Sequence, residues 1–204
     1  IRKRNAAETA TALLLVITMG LWDAPALAAR PDGAPRERFG RDGTVKVRVT
    51  SQEARVAASR AGWRVGGYGS FEVFEVSAAT AAALVRDDAS TQVLHGQNVI
   101  ELNSGALDTS TRAARGRAKA LDAGDGKRLH LVQFAGPIRP EWHRELTDTG
   151  ARIVTYVPMN AYLVWGSTAE IGRVRALSDQ KPFVQWEGAY DAEPAGWASR
   201  TRAS

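Results

Sequence analysis

Residues 44–77, TVKVRVTSQEARVAASRAGWRVGGYGSFEVFEVS, contain the pattern that decides the fold. Apolar and polar residues alternate over the first eight positions, which is typical of a half-buried strand. The next residues, 52–62, are rich in helix formers and end on Gly62, a residue that favours helix termination. Two apolar runs, 63–65 and 70–77, then flank a glycine-rich turn, as in a β-hairpin. The predicted order is strand, helix, strand, strand.

The following residues complete one module, and a second copy of it follows with different residues. In the first copy, Ser77 is the predicted cap of a helix over 78–89, and the last strand covers 91–102. In the second copy, Ser167 and Glu170 form the S-x-x-E capping pattern. The elements predicted for the second copy are a strand at 127–136, a helix at 141–150 that begins after Pro140, strands at 151–157 and 161–167, a helix at 168–179 and a strand at 183–190.

This order predicts an α+β fold with two tandem ferredoxin-like βαββαβ modules. Because a helix between two strands forms a right-handed crossover, each module becomes a four-stranded antiparallel sheet with two helices on one face. The predicted divisions of the chain are a signal peptide at 1–28, a flexible segment at 29–43, the first module at 44–104, a linker at 105–126, the second module at 127–191 and a tail at 192–204.

The other face of each predicted sheet has no helix to cover it. In the closing strand of the second copy, simple alternation places Val184 and Trp186 on one side and Phe183, Gln185 and Glu187 on the other. A partly apolar, uncovered face predicts a partner. That partner is either the other copy or another protein.

Composition excludes several classes of protein. The net charge is +5, but residues 44–104 carry six basic and six acidic residues, and residues 127–191 carry eight and seven. The excess charge therefore lies in the leader, linkers and tail, which argues against a nucleic-acid-binding face. The chain has no cysteine, so neither disulfides nor thiolate metal sites are expected.

The N-terminus has the pattern of an export signal. Basic residues at positions 2–4 precede an apolar run at 11–22 and the small-x-small sequence at 26–28. Cleavage is predicted between Ala28 and Ala29. Because a membrane-spanning helix needs about 20 apolar residues, a permanent anchor is not expected, and the product is predicted to be secreted or periplasmic.

No complete catalytic, cofactor or metal site is evident in the sequence. The histidines, His95, His130 and His143, have no second His or Cys at metal-ligand spacing and are interpreted as structural. The D-T-G at 148–150 and the H-G at 95–96 look like protease motifs, but D-T-G lies at the end of a predicted helix, whereas a catalytic Asp of that kind follows an apolar strand, and the order is the reverse of that in subtilisins. The chain is therefore not expected to be an enzyme by itself, and no cofactor is predicted.

Three motifs in the second copy carry a resemblance. They are VQFAGPIRPEW (132–142), YVPMNAYLV (156–164) and FVQWEGAY (183–190). Together they resemble the N-terminal, propeptide-like region of secreted bacterial subtilisin-like serine proteases. The strong match extends from Leu129 to Tyr190, and the first copy resembles it only in its element order.

The resemblance implies a folding assistant and inhibitor that packs its sheet face on a subtilisin-like protease domain, in cis or in trans. The C-terminal extension would lie in the active-site cleft as a product-like inhibitor. The residues that the resemblance predicts to contact the protease are Phe183, Gln185, Trp186, Glu187, Gly188, Ala189, Tyr190 and Asp191. The protease domain does not follow within these residues, so the chain is expected to be a fragment of a longer precursor.

Two alternatives remain open from the sequence. One is a free-standing secreted or periplasmic protein that inhibits or scaffolds proteases. The other is a ligand-sensing pair of ferredoxin-like domains, for which only fold analogy argues.

Overall fold

The computed structural model describes residues 40–41, 43–103, 105–114 and 126–190. The predicted signal peptide with Ala28 and Ala29, most of the segment 29–43, and the tail from Asp191 onward lie outside these residues. The described part is α+β and has two four-stranded antiparallel sheets and several helices. None of the helices described is long and apolar enough to cross a membrane.

The first sheet forms from the alternating residues at 44–77 and those that follow them. Its elements are β1 (Thr44–Val49), α1 (Gln52–Ala61), β2 (Trp63–Gly67), β3 (Glu72–Ser77), α2 (Ala78–Asp87) and β4 (Gln92–Leu94). The strands lie in the order β2-β3-β1-β4, and each neighbouring pair is antiparallel. The Oγ atoms of Ser51 and Ser77 accept from the backbone N–H groups of Ala54 and Thr80, each at 3.1 Å. The Ser77 cap predicted from the sequence is therefore confirmed.

Both helices of this unit pack on one face of the sheet. Val47 of β1 is buried in an apolar cluster with Ala58 of α1 and Leu84 of α2. The alternate residues of β1, including Lys46, therefore face away from the helices.

Gly62 ends α1, but for a different reason from the one expected. Its φ is −162°, which is extended backbone and not the left-handed conformation that favours glycine. A Cβ atom at this position would lie 2.3 Å from the carbonyl oxygen of Glu75. Glycine is therefore required because β3 passes close to the end of the helix.

The second sheet repeats the same order of elements. These are β7 (Arg128–Phe134), α3 (Pro140–Thr147), β8 (Arg152–Val157), β9 (Ala161–Gly166), α4 (Thr168–Gln180) and β10 (Val184–Ala189). The strand order is β10-β7-β9-β8, again with antiparallel neighbours. Pro140 occupies the first turn of α3, and Ser167 and Glu170 form the predicted capping box at the start of α4. Val132, Leu146 and Val174 are in the core between this sheet and its helices.

A two-stranded hairpin lies between the two sheets in sequence. The single strand predicted over 91–102 is wrong, because His95–Asn98 form a turn that separates β4 from β5 (Val99–Leu102). Gly96 has a φ of +70° in this turn, and the N–H of Val99 donates to its carbonyl at 2.9 Å. β5 pairs with β6 (Gly105–Asp108), so the first residues of the predicted linker form a strand.

This hairpin covers the helix-free face of the second sheet. Ile100 of β5 is fully buried in an apolar cluster with Leu131 of β7 and Trp186 of β10. Ala114, which follows the hairpin, belongs to the same cluster. The expectation that this face is left open is therefore wrong, because a segment of the chain itself packs on it.

The helix-free face of the first sheet packs against the second unit. Val65 of β2 and Val73 of β3 belong to the same apolar cluster as Phe134 of the second unit. The Tyr68 hydroxyl donates to the carbonyl oxygen of Pro137 at 2.9 Å. The two units thus pack on each other through this cluster, while the helices of the first unit have an apolar cluster of their own.

Candidate functional site

A β-bulge in β10 decides where the predicted contact residues point. The pairing of β10 with β7 shifts by one residue between Val184 and Trp186. Val184 packs in the helix-side core, whereas Trp186 packs on the opposite face with Leu131. Placing Val184 and Trp186 on one side is therefore wrong, because the extra residue at the bulge, Gln185, reverses the alternation.

A buried polar network surrounds Gln185 where the two units and the hairpin meet. We call it the polar junction, and its members are Lys46, Gln97, Asn98, Thr109, Gln133 and Gln185. The Gln185 side-chain amide donates to Oε1 of Gln133 at 2.6 Å and to the carbonyl of Gln97 at 3.1 Å. Lys46 Nζ donates to Oε1 of Gln185, and Thr109 Oγ1 donates to Oε1 of Gln133 at 2.6 Å. The junction therefore connects β1, the hairpin segment and the second sheet through hydrogen bonds.

The junction also holds the β8–β9 turn. Met159 and Asn160 have φ values of 67° and 61°, which is uncommon for residues other than glycine. Gln133 Nε2 donates to the carbonyl of Met159 at 3.0 Å, and Asn160 Nδ2 donates to Oε1 of Gln97 at 2.7 Å. These bonds hold the turn in its left-handed conformation.

Lys46 is the charged member of the polar junction, and its side chain is only 2% exposed. Its hydrogen-bond acceptors are two neutral amide oxygens, Gln185 Oε1 and Asn98 Oδ1. Burial lowers the pKa of the Lys46 ammonium from 10.5 to about 8, and the charge of Glu75 opposes part of this effect. Lys46 is therefore held charged at pH 7 at a considerable cost in desolvation.

Glu75 is the nearby buried carboxylate, and it organises the segment before β1. Its oxygens accept from the backbone N–H of Gly40 at 2.8 Å, from that of Arg41 at 3.2 Å and from Thr44 Oγ1 at 2.6 Å. Its hydrogen-bonding capacity is therefore largely used by this segment, and it acts on Lys46 only through its charge.

A polar cavity of about 220 Å³ adjoins the junction. It lies between β1, the turn after β4 and the end of β6, and Lys46, Glu75, His95, Asn98, Asp108 and Ser110 are among the residues that line it. Sites for drug-sized ligands usually have about 300–1,000 Å³. This cavity therefore accommodates only a small polar molecule.

The predicted contact residues up to Tyr190 lie in β10 or directly beside it, and most of their side chains point into the protein. Phe183 stacks on Trp142 with a ring separation of 5.2 Å. The Trp186 indole N–H donates to the carbonyl of Ala114 at 3.2 Å, and this side chain is only 3% exposed. Gly188 allows that packing, since a Cβ atom there would lie 2.5 Å from the Trp186 ring.

The remaining predicted contact residues lie at the end of this strand. Glu187 is buried on the helix side, with Oε2 2.5 Å from His130 Nε2. Ala189 and Tyr190 are half-buried, and the N–H of Tyr190 donates to the carbonyl of Leu129 at 3.1 Å. Asp191 lies outside the described residues. Residues 185–187 thus contact this chain itself.

The structure does not bring the histidines together as one catalytic centre. His130 is fully buried beside Glu187, His95 lies exposed in the turn after β4, and the His143 ring packs edge-on against Tyr162. Asp148 caps the C-terminus of α3, so this helix ends earlier than the predicted 141–150, and Gly150 follows it with a φ of 83°. Within the described ranges, no group of three or more His, Asp or Glu residues is arranged to hold a metal ion.

Part of the chain is similar to a known family. Residues 101–191 match a family described as Domain of unknown function (DUF8729). The match begins in β5 and ends directly after β10, so the similar region comprises part of the hairpin together with the second sheet and its helices. No curated protein and no solved structure matches the chain.

Sequence reasoning missed the polar junction, although a signal for it was present. The β7 and β10 strands contain the related sequences Val-Gln-Phe at 132–134 and Val-Gln-Trp at 184–186. A glutamine inside an otherwise apolar strand must have a hydrogen-bond partner when it is buried. Lys46 carried no such signal, because its place in an alternating strand is typical of a solvent-facing residue.

Proposed function

We propose that the two units are tandem ferredoxin-like βαββαβ modules and that the second is a propeptide-like inhibitor and folding assistant. Its partner would be an exported subtilisin-like protease domain. The common strand order of the two sheets supports the tandem plan, and the three motifs of the second copy support the propeptide-like role. The role needs no catalytic group in this chain.

The proposal rests on one observation: contacts within the chain hold β10 in place up to its last residues. β10 is an edge strand, and Trp186, Glu187 and the backbone of Tyr190 are all held by contacts within the chain. A segment that continues from a fixed strand loses less conformational entropy when it binds in extended form. In the proposed complex, the residues after Tyr190 would add as a strand to the substrate-binding edges of a protease.

The buried side chains change which residues are assigned to protease contact. Gln185, Trp186 and Glu187 are at most 7% exposed, so they act as the anchor. In the proposed complex, direct contact with the protease cleft begins at Tyr190 and continues through Asp191 and the residues after it.

Inhibition of a secreted bacterial subtilisin by the purified 204-residue chain tests this proposal. We expect slower hydrolysis of a chromogenic peptide at protein concentrations of about 10 μM or below, and a loss of inhibition when residues 191–204 are deleted. Tyr156→Ala is the matched control, because Tyr156 is 53% exposed on β8, the opposite edge of the same sheet. Unchanged hydrolysis with the full chain, or equal inhibition by the deletion variant, would overturn the proposed contact.

The reading frame beyond codon 204 separates action in cis from action in trans. Action in cis predicts D-[ST]-G, H-G-T-H and G-T-S-[MA] segments in that order downstream. A stop codon directly after Ser204, together with inhibition by the purified chain, would leave a free-standing inhibitor as the function. Action in cis and action in trans both require that the protein is exported. Fractionation of expressing cells tests this requirement.

A further inference from the structure

The cavity beside the polar junction has the features of a small-molecule site that is distinct from the proposed protease contact. Lys46, Asn98 and Asp108 line it, so it lies where β1, the turn after β4 and the end of β6 meet. Its volume of about 220 Å³ lies below the range of about 300–1,000 Å³ that is usual for drug-sized ligands, so it suits a small molecule.

The first recognition element is the buried Lys46 ammonium. It has three N–H donors, and its acceptors are Gln185 Oε1 and Asn98 Oδ1, which carry no formal charge. Among the described residues, no carboxylate oxygen forms a direct ion pair with it. A buried charge is stabilised by a hydrogen-bonded partner of opposite sign, so a carboxylate on a ligand would supply what the protein side chains do not.

The second recognition element is the Asp108 carboxylate on the same cavity. Ser110 donates to Oδ1 of Asp108 through its backbone N–H at 2.9 Å and its hydroxyl at 2.6 Å. The other carboxylate oxygen of Asp108 accepts no hydrogen bond from any residue within the described ranges, so it remains available to a ligand. Glu75 adds a second negative charge to the lining, which disfavours a doubly charged anion such as phosphate.

We propose that this cavity binds a small α-amino acid in its zwitterionic form, with the carboxylate on Lys46 and the ammonium group on Asp108. The charges of the lining match this ligand at both ends. This site does not depend on the proposed binding of a protease. Occupancy would connect β1 with the hairpin and thereby strengthen the polar junction.

Titration of the full chain with glycine and L-alanine, each up to 10 mM, tests the proposal. Amide resonances of residues 93–98 should shift in two-dimensional NMR spectra, and the melting temperature should rise with ligand concentration. Propionate lacks the ammonium group and inorganic phosphate has no positive charge for Asp108, so each should give a weaker effect. Equal effects of all four compounds, or no effect of glycine and alanine, would overturn the proposal.

Two substitutions with matched controls assign the contacts. Lys46→Met and Asp108→Asn should each raise the Kd for alanine about tenfold or more. Lys181→Met and Asp87→Asn remove the same charges at exposed positions outside the cavity lining and should leave the Kd unchanged. If Lys46→Met fails to fold, Asp108→Asn still tests the proposal, because Asp108 is exposed. An unchanged Kd in Asp108→Asn would refute the proposed orientation.

Discussion

Replacing Lys46 with methionine should remove a specific pH dependence from the stability of this protein. The Lys46 side chain is buried, and desolvation lowers its pKa from 10.5 in the unfolded chain to about 8 in the folded one, with the charge of Glu75 opposing part of the shift. Between these two values, the unfolded chain binds more protons than the folded protein. The free energy of unfolding therefore rises as pH increases from about 8 to 10.5.

The size of this effect follows from the difference between the two pKa values. Lowering the pKa from 10.5 to about 8 corresponds to about 3 kcal/mol of stability that is present above pH 10.5 and lost as pH falls through 8. Tyr68 acts in the opposite direction at higher pH, because burial raises the pKa of its hydroxyl from 10.0 to about 12. The contribution of Lys46 is therefore clearest from pH 8 to 10.

Urea denaturation of the wild type and Lys46→Met across pH 7–10.5 measures the effect. The difference in unfolding free energy between the two proteins should change by about 3 kcal/mol over this range. Absolute stability at pH 7 is less informative, since methionine removes a buried charge but also leaves Gln185 Oε1 without its donor and removes one of the two donors to Asn98 Oδ1. Lys181→Met, which removes a lysine from a partly exposed ion pair with Glu145, is the control. Parallel pH profiles for the wild type and Lys46→Met would refute the reasoning.

Three further substitutions test the packing and capping described above by chemical denaturation. Trp186→Ala should lower the free energy of unfolding by about 3–5 kcal/mol, because it leaves a cavity under the hairpin and removes the donor to the carbonyl of Ala114. A loss below about 1 kcal/mol would show that the hairpin does not depend on this ring. Tyr68→Phe removes the hydrogen bond to Pro137 and should lower the free energy of unfolding by about 1 kcal/mol at pH 7. It should also abolish the fall in stability from pH 10 to 12, because the Tyr68 hydroxyl has a raised pKa in the folded protein. If the fall persists in Tyr68→Phe, other groups cause it. Ser167→Ala removes an N-cap and should cost about 1 kcal/mol, and an unchanged denaturation midpoint would contradict its capping role.

Local patterns in the sequence were sufficient for most of the helices and strands. Ser77, Pro140 and the Ser167–Glu170 pair mark helix starts, and each signal acts through neighbouring residues only. The alternation in β1 likewise identifies a strand without reference to the rest of the chain. These features were predictable because the interactions behind them span a few residues.

The candidate site, by contrast, depends on contacts between distant residues. One bulged residue in β10 turns Trp186 away from the side of Val184, and the β5–β6 hairpin then packs on the face that Trp186 occupies. The same assembly places Lys46 within hydrogen-bonding reach of Gln185, which is 139 positions away in the chain. No periodicity in either segment contains that information.

The sequence by itself therefore determined the order of the elements in the two repeated units, because turn chemistry, capping and hydrophobic period are local properties. Only the tertiary structure decided which segment covers each sheet face and that Lys46 is buried beside a cavity. The physical reason is that a strand's pattern shows that one of its faces is apolar, whereas the group that covers the face is chosen by long-range packing.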